Sequence, residues 1–177
     1  DRWNDSPRKE LRELQEYLRT SLDVEASVYS RNVSLAERPF LEAETRQVYS
    51  DFPYQGFVEV NATSQSLQRS EPKPFYFPMH HVAPIDYYGH FLDYDLYADT
   101  VFRDAIEEAV TSGRAALSRR HFFSSDIRGI AEKPVLFYAV GLLHPGVVLT
   151  TDPVETQRDL GMIAVLIPSL LEDIGQH

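Results

Sequence analysis

The 177-residue chain contains no cysteine, which removes disulfides, zinc–thiolate centres and thiol nucleophiles together. No apolar run approaches the ~20 residues that cross a bilayer, and nothing resembles a secretory leader. Basic residues are the scarcer charge. The 17 Lys and Arg against 27 Asp and Glu give a formal net charge of −10, a balance that repels phosphate backbones and anionic lipid surfaces. No nucleic acid is expected as a partner, and the acidity itself reads as a solubility device. Also missing are a nucleophile elbow, a phosphate loop, a dinucleotide-binding glycine pattern and a zinc-hydrolase histidine pair. The chain opens on Asp1 rather than Met and is expected to be an excised soluble piece.

What is present suits one domain. At 43% hydrophobic and 25% charged residues, the chain can bury a sizeable core with appendages. Ser6-Pro7 is a helix start, with Ser6 as N-cap and Pro7 where its missing N–H costs nothing. Leu11, Leu14, Leu18 and Leu22 then give an amphipathic helix expected to reach about Val28. Its short heptad-like run, Leu11, Leu14 and Leu18, also offers a seam for a homodimer. Ser34 can cap a second helix from Leu35 to about Ser50, with Pro39 in its first turns. Two glycosylation-type tripeptides, Asn32-Val33-Ser34 and Asn61-Ala62-Thr63, are too common by chance to carry weight.

Phe57 to Val60 is the first expected strand, followed by a polar surface loop from Asn61 to Pro74. Phe75 to Ile85 is the second, with Pro78 marking an edge or a bulge. After a short strand or extended turn through Phe91–Leu96, Asp99 is placed to cap a helix from Thr100 to Ser112. That helix has Val101, Phe102, Ala105, Ile106, Ala109 and Val110 on its buried stripe and Gly113 at its end. Ala115 to Phe123, Pro134 to Leu143 and Leu160 to Pro168 complete the strands, and Leu170 to Ile174 reads as a short closing helix. Helices first, then strands interleaved with one strong helix, indicate an α+β domain with an antiparallel sheet.

Few residues gather into a chemical constellation. His80 and His81 are consecutive in a strand and should point to opposite faces, so without a bulge they cannot converge on one ion. No metal site is expected, and no pair of carboxylates stands out among so many. What does stand out is a dense aromatic set around one acidic position, Asp95. It includes Tyr76, Tyr94, Phe137 and Tyr138, with Met79 nearby. Such a set can line a small-molecule site, or it can be the core of a sheet. An Asp just ahead of a helix can likewise hydrogen-bond the backbone of its own turn.

The run FYFPMHHVAPID, the Asp95-Leu96 pair, Asp99 and the helix RDAIEEAVTSGRAAL together resemble the CHASE domains, extracytoplasmic sensors of bacterial and plant receptors that include the cytokinin receptors. LGMIAVLIPSLLEDI is similar to the closing strand and helix of that family. The resemblance runs from about Phe40 to Asp173. It implies a stalk-like N-terminal helix over residues 1–36 and a PAS-like sensor domain over 37–177, with an antiparallel sheet, flanking helices and a ligand cavity between them. Such a domain has no catalysis and needs no cofactor. Its output, a histidine kinase, nucleotide cyclase or cyclic-dinucleotide enzyme, lies across the membrane from a periplasmic or extracellular sensor. By resemblance to the cytokinin-binding branch, Asp95 falls on the ligand-recognising carboxylate and Leu117 on an apolar pocket residue. Tyr76, Met79, Tyr94, Phe137 and Tyr138 are the expected wall. The alternative is a ligand-free dimerisation or protein-interaction module of such a receptor.

Overall fold

The computed structural model describes residues 13, 16, 17, 20, 26–61, 63–64, 66–112, 114 and 116–118, together with the strand backbones at 137–143 and 160–166. Its main sheet has five strands, all paired antiparallel. They are β1 (Ala26–Arg31), β6 (Met79–Ala83), β7 (Ala116–Leu117), β8 (Phe137–Leu143) and β9 (Leu160–Leu166), in the order β6-β1-β9-β8-β7. Two short antiparallel pairs stand beside it: β2 (Val33–Ser34) with β5 (Phe75–Tyr76), and β3 (Val58–Val60) with β4 (Leu67–Arg69). The helices are α1 (Arg38–Val48), the single turn α2 (Ile85–Tyr88) and α3 (Thr100–Ser112). The α+β class with an antiparallel sheet therefore holds.

The periodic segments behave as their side chains dictate. Helix α3 covers Thr100–Ser112, and Asp99 accepts the Val101 N–H at 2.8 Å through its side chain and the Arg103 N–H at 2.9 Å through its carbonyl. Phe102, Ala105, Ile106 and Ala109 are buried on one face, where the helix packs on β7 and β8. Val101 is only half-buried, at the margin of that stripe. The side chain of Val110 and the position of Gly113 lie outside the described residues.

Helix α1 starts one turn later than expected, at Arg38, with Glu37 as its N-cap and no side-chain cap, and Ser34 closes the preceding turn instead. The Ser34 hydroxyl and N–H donate to Glu37 at 2.7 and 2.9 Å, and the Glu37 N–H returns a 3.3 Å bond to the hydroxyl. This reciprocal serine–glutamate box closes the turn from which α1 starts at Arg38, with Pro39 in the first turn where no donor is lost.

Several expectations are corrected. Residues 26–28 are not helical. Glu13, Glu16, Tyr17 and Thr20 are helical, but ASVYSR forms β1, an interior strand with Val28 opposite both Val82 and Ala164. Its β-branched and aromatic residues favour a pleated surface once two neighbours are available. Leu11, Leu14 and Leu18 lie outside the described residues. The polar stretch 61–74 is not all loop, because Leu67–Arg69 pairs with Val58–Val60 to make a hairpin.

Phe75–Ile85 is two strands in different sheets rather than one, broken at Phe77-Pro78, and Pro78 instead bridges Asp95. Pro78 stands in neither strand, and β6, which follows it, is an outer strand of the described sheet with a bulge in its register. β7 is described only at Ala116–Leu117, while β8 and β9 hold within the expected bounds. The closing helix at 170–174 and the cationic cluster at 119–121 lie outside the described residues.

The main core joins Ala26 and Val28 of β1, Met79 and Val82 of β6, and Phe102 and Ile106 of α3 through Phe77, Phe91, Tyr94 and Leu96. A smaller core holds Val33, Leu41, Phe57 and Tyr76. Between the hairpin and α1, Gly56 adopts φ 89°, and a Cβ there would meet the Glu42 carboxylate at 3.1 Å. Gly56→Ala is therefore expected to cost about 1–2 kcal/mol from the left-handed backbone alone, with crowding of Glu42 added. Urea unfolding would register it as a lower midpoint at unchanged slope.

Candidate functional site

Asp95 is completely buried. It sits ahead of a single 3₁₀ turn, Leu96–Ala98, and one carboxylate oxygen, Oδ1, accepts the Tyr97 N–H at 3.2 Å and the Phe77 N–H at 3.0 Å. The turn and the break after β5 are thereby held to one oxygen. The other oxygen, Oδ2, takes the Lys73 ammonium at 3.1 Å. Lys73 also pairs with Glu59, which in turn accepts the Ser70 hydroxyl at 2.6 Å.

Burial would lower the Lys73 pKa, but the Glu59 hydrogen bond and the Asp95 charge outweigh it, and the net shift is upward. For Glu59, burial pushes the pKa up and is outweighed by the Lys73 and Ser70 hydrogen bonds, so the net shift is downward. The three groups form a charged cluster, fully closed at Asp95 and open to solvent at Lys73, whose side chain is 29% exposed.

The other expected site residues fall into three groups. Tyr76 joins Asp95 at Lys73: its hydroxyl accepts the Lys73 N–H at 2.8 Å, and the ammonium lies 6.0 Å from its ring. Met79 and Tyr94 are buried in the main core and linked by the Met79 N–H donating to the Tyr94 carbonyl at 2.9 Å. Burial, then the charges of Asp99, Asp95 and Glu59, push the Tyr94 phenol well above the usual tyrosine range. Leu117 and Tyr138 face each other across β7 and β8, with Leu117 half exposed, and Phe137 pairs with Leu166. The side chains of Phe137 and Tyr138 lie outside the described residues.

Beside Asp95, aromatic residues form a compact stack. The Tyr97 ring lies 4.9 Å from Phe75 and 5.7 Å from Phe77, the Arg103 guanidinium covers it at 5.1 Å, and its hydroxyl donates to Glu107 at 2.6 Å. Tyr97 thus ties the Asp95 turn to α3.

Two polar networks escaped the sequence reading. In the first, Arg38 and Glu42 pair at 2.7 Å within α1, and Arg38 reaches the Ser70 carbonyl and the Tyr76 hydroxyl at 2.9 and 3.0 Å. Their four-residue spacing was the available signal. The second gathers both histidines. Tyr29 pairs with His81 and Ser30 with Met79, which leaves His80 as an extra residue in β6. This β-bulge brings the two imidazoles to 4.4 Å and overturns the expectation of opposite faces. His80 Nδ1 lies 3.4 Å from both Thr45 Oγ1 and Asp93 Oδ1, and the Tyr54 hydroxyl donates to Asp93 Oδ2 at 2.5 Å. His81 meets the Tyr49 hydroxyl at 3.2 Å. Among the described residues no three His, Asp or Glu side chains converge as ligands for one ion.

The family model for the CHASE domain matches residues 8–139. No curated protein matches the chain. Among the described residues no helix is long and apolar enough to cross a membrane.

Proposed function

From the premise that the chain belongs to the CHASE domain family, and so is an extracytoplasmic sensor domain of a membrane signalling receptor, we propose that it binds a small molecule beside Asp95. The carrying observation is the asymmetry of the Asp95 carboxylate: Oδ1 is committed to two backbone N–H groups, while Oδ2 is held by the side chain of a partly exposed lysine. A ligand N–H can replace that ammonium without breaking the turn. The displaced Lys73 keeps Glu59 as its partner.

Support for a PAS-like domain comes from the strand order. Numbered in chain order within the main sheet, the strands run second, first, fifth, fourth, third, the arrangement of a PAS sheet. In this reading the sensor unit begins by Ala26, because β1 and β2 pair with strands much later in the chain. The preceding helix forms the stalk, and Leu11, Leu14 and Leu18 are its homodimer seam. Met79 and Tyr94 lie beneath the pocket in this reading, while Leu117, exposed beside the buried Ala116, is set on the other face of β7. Ligand at Oδ2 shifts the Tyr97 turn, and through Arg103 and Glu107 it biases α3.

Calorimetry against purines, amino acids, organic acids and lipids tests this function. The ligand found should bind at least tenfold more weakly to Asp95→Asn, since a charge-assisted hydrogen bond is lost, with Lys73→Met sparing or improving binding. Unchanged affinity in Asp95→Asn would remove Asp95 from the site.

A further inference from the structure

A separate cleft opens on the other flank of the β3–β4 hairpin. It encloses about 250 Å³, below the ~300–1,000 Å³ of drug-sized sites, and so has room for one compact molecule. Phe52, Tyr54, Leu67 and Leu92 supply apolar and aromatic walls, and Asp86 and His90 are polar lining residues. Val58, also in the lining, accepts the Asp95 N–H at 2.8 Å through its carbonyl, so the cleft and the Asp95 site share only the backbone of β3.

The cleft is built rather than incidental. The Phe52 ring lies directly on Gly89, where a Cβ would come within 2.7 Å of it, so only glycine lets the ring pack there. Tyr54 is fixed at both ends, with its hydroxyl on Asp93 and the Arg46 guanidinium 5.5 Å from its ring. Burial pushes the His90 imidazole down, toward its neutral form. The carboxylate of Asp86 is then the one formal charge among the lining side chains. The net charge of −10 adds a long-range attraction for cations.

We propose that this cleft is a second binding site, for a compact aromatic amine whose ring lies between Phe52 and Leu67 and whose ammonium pairs with Asp86. Tyr54 gives it a route into the fold. A ring that presses on Tyr54 bears on Asp93, whose other oxygen faces His80 at the bulge of β6. The site stands whether or not a ligand also binds at Asp95.

Titration of the 177-residue chain with tryptamine, and with indole-3-acetate as a ring of similar size and opposite charge, tests the proposal by calorimetry. Tryptamine should saturate one site and bind at least tenfold more tightly than indole-3-acetate. Asp86→Asn, at an exposed position, should abolish that preference and leave the melting temperature within about 1 °C. Gly89→Ala, which displaces Phe52, should weaken both compounds. Absence of saturable tryptamine binding overturns the proposal, as does a preference that survives in Asp86→Asn. Tryptamine binding that disappears in Asp95→Asn but persists in Asp86→Asn also overturns it and moves the ligand to the Asp95 site.

Discussion

Arg38→Ala is expected to destabilise the domain by about 3–5 kcal/mol, the range for breaking a buried pair from one side. Arg38 is only 7% exposed, yet its guanidinium bonds Glu42, the Ser70 carbonyl and the Tyr76 hydroxyl and lies 5.3 and 5.0 Å from the Phe57 and Tyr76 rings. Truncation leaves Glu42 buried with the Phe57 N–H and the mostly exposed Arg69 as partners. An exposed cation repays little of the desolvation. At roughly 2–4 °C per kcal/mol for a chain of this length, the melting temperature should fall by about 10 °C in scanning calorimetry. Arg38→Lys should recover only part of that, because a point charge cannot bond Glu42, Ser70 and Tyr76 together.

The same pair sets an acid limit. Burial raises the Glu42 pKa, but the Arg38 hydrogen bond, the Phe57 N–H and the charges of Arg38 and Arg69 overcome it, leaving the carboxyl below its ordinary 4.5. Glu59 is lowered as well. A carboxyl depressed in the folded state adds stability above its unfolded pKa, and that stability is lost as pH falls through the folded value. Urea midpoints should therefore be level near neutrality and decline below about pH 4.5. Glu42→Gln, weaker throughout, should decline less steeply. An equal slope in the variant would remove Glu42 from the acid transition.

The second large effect belongs to Asp95. Asp95→Ala strands the buried Phe77 N–H and the Tyr97 N–H and deprives Lys73 of one carboxylate. An unsatisfied buried donor costs about 1–3 kcal/mol, so a loss near 3 kcal/mol is expected in urea unfolding. Asp95→Asn keeps a carbonyl oxygen for both donors but turns its amide N–H donors toward the Lys73 ammonium, which is partly exposed and keeps Glu59, so the loss should be smaller, about 1–2 kcal/mol. Equal costs for the two variants would mean that charge, not the turn's hydrogen bonds, dominates. The separation matters for function, because the Asn variant can report on ligand binding without disturbing the fold.

Local signals were legible where one element decides its own fate. The period of Phe102, Ala105, Ile106 and Ala109 with Asp99 ahead of it needed no partner to specify α3. Ser34 marked the approach to α1, one turn ahead of where the helix begins. Elements that exist only through partners were hidden. ASVYSR has too few apolar residues to read as a strand, and becomes one because β6 and β9 supply ladders on both sides. Leu67–Arg69 is polar and is recruited by Val58–Val60.

The site followed the same division. Asp95 was visible as the acid ahead of a turn, and both of its anticipated roles concern the same carboxylate, one oxygen of which serves the backbone. The ion cluster around it was not visible, since Glu59, Lys73 and Asp95 are brought together from three separate segments.

The bulge in β6 has a further consequence for the exposed edge of the sheet. An outer strand ordinarily offers a row of unpaired amides to any passing chain. Here the N–H and C=O of Met79 are already taken, by the Tyr94 carbonyl and the Asp93 N–H at 2.9 Å each. The adjacent His80 N–H turns back to Pro78, and Pro78 itself has no donor. This margin is closed to strand addition at those positions, which guards them against the edge-to-edge pairing that leads to fibrils.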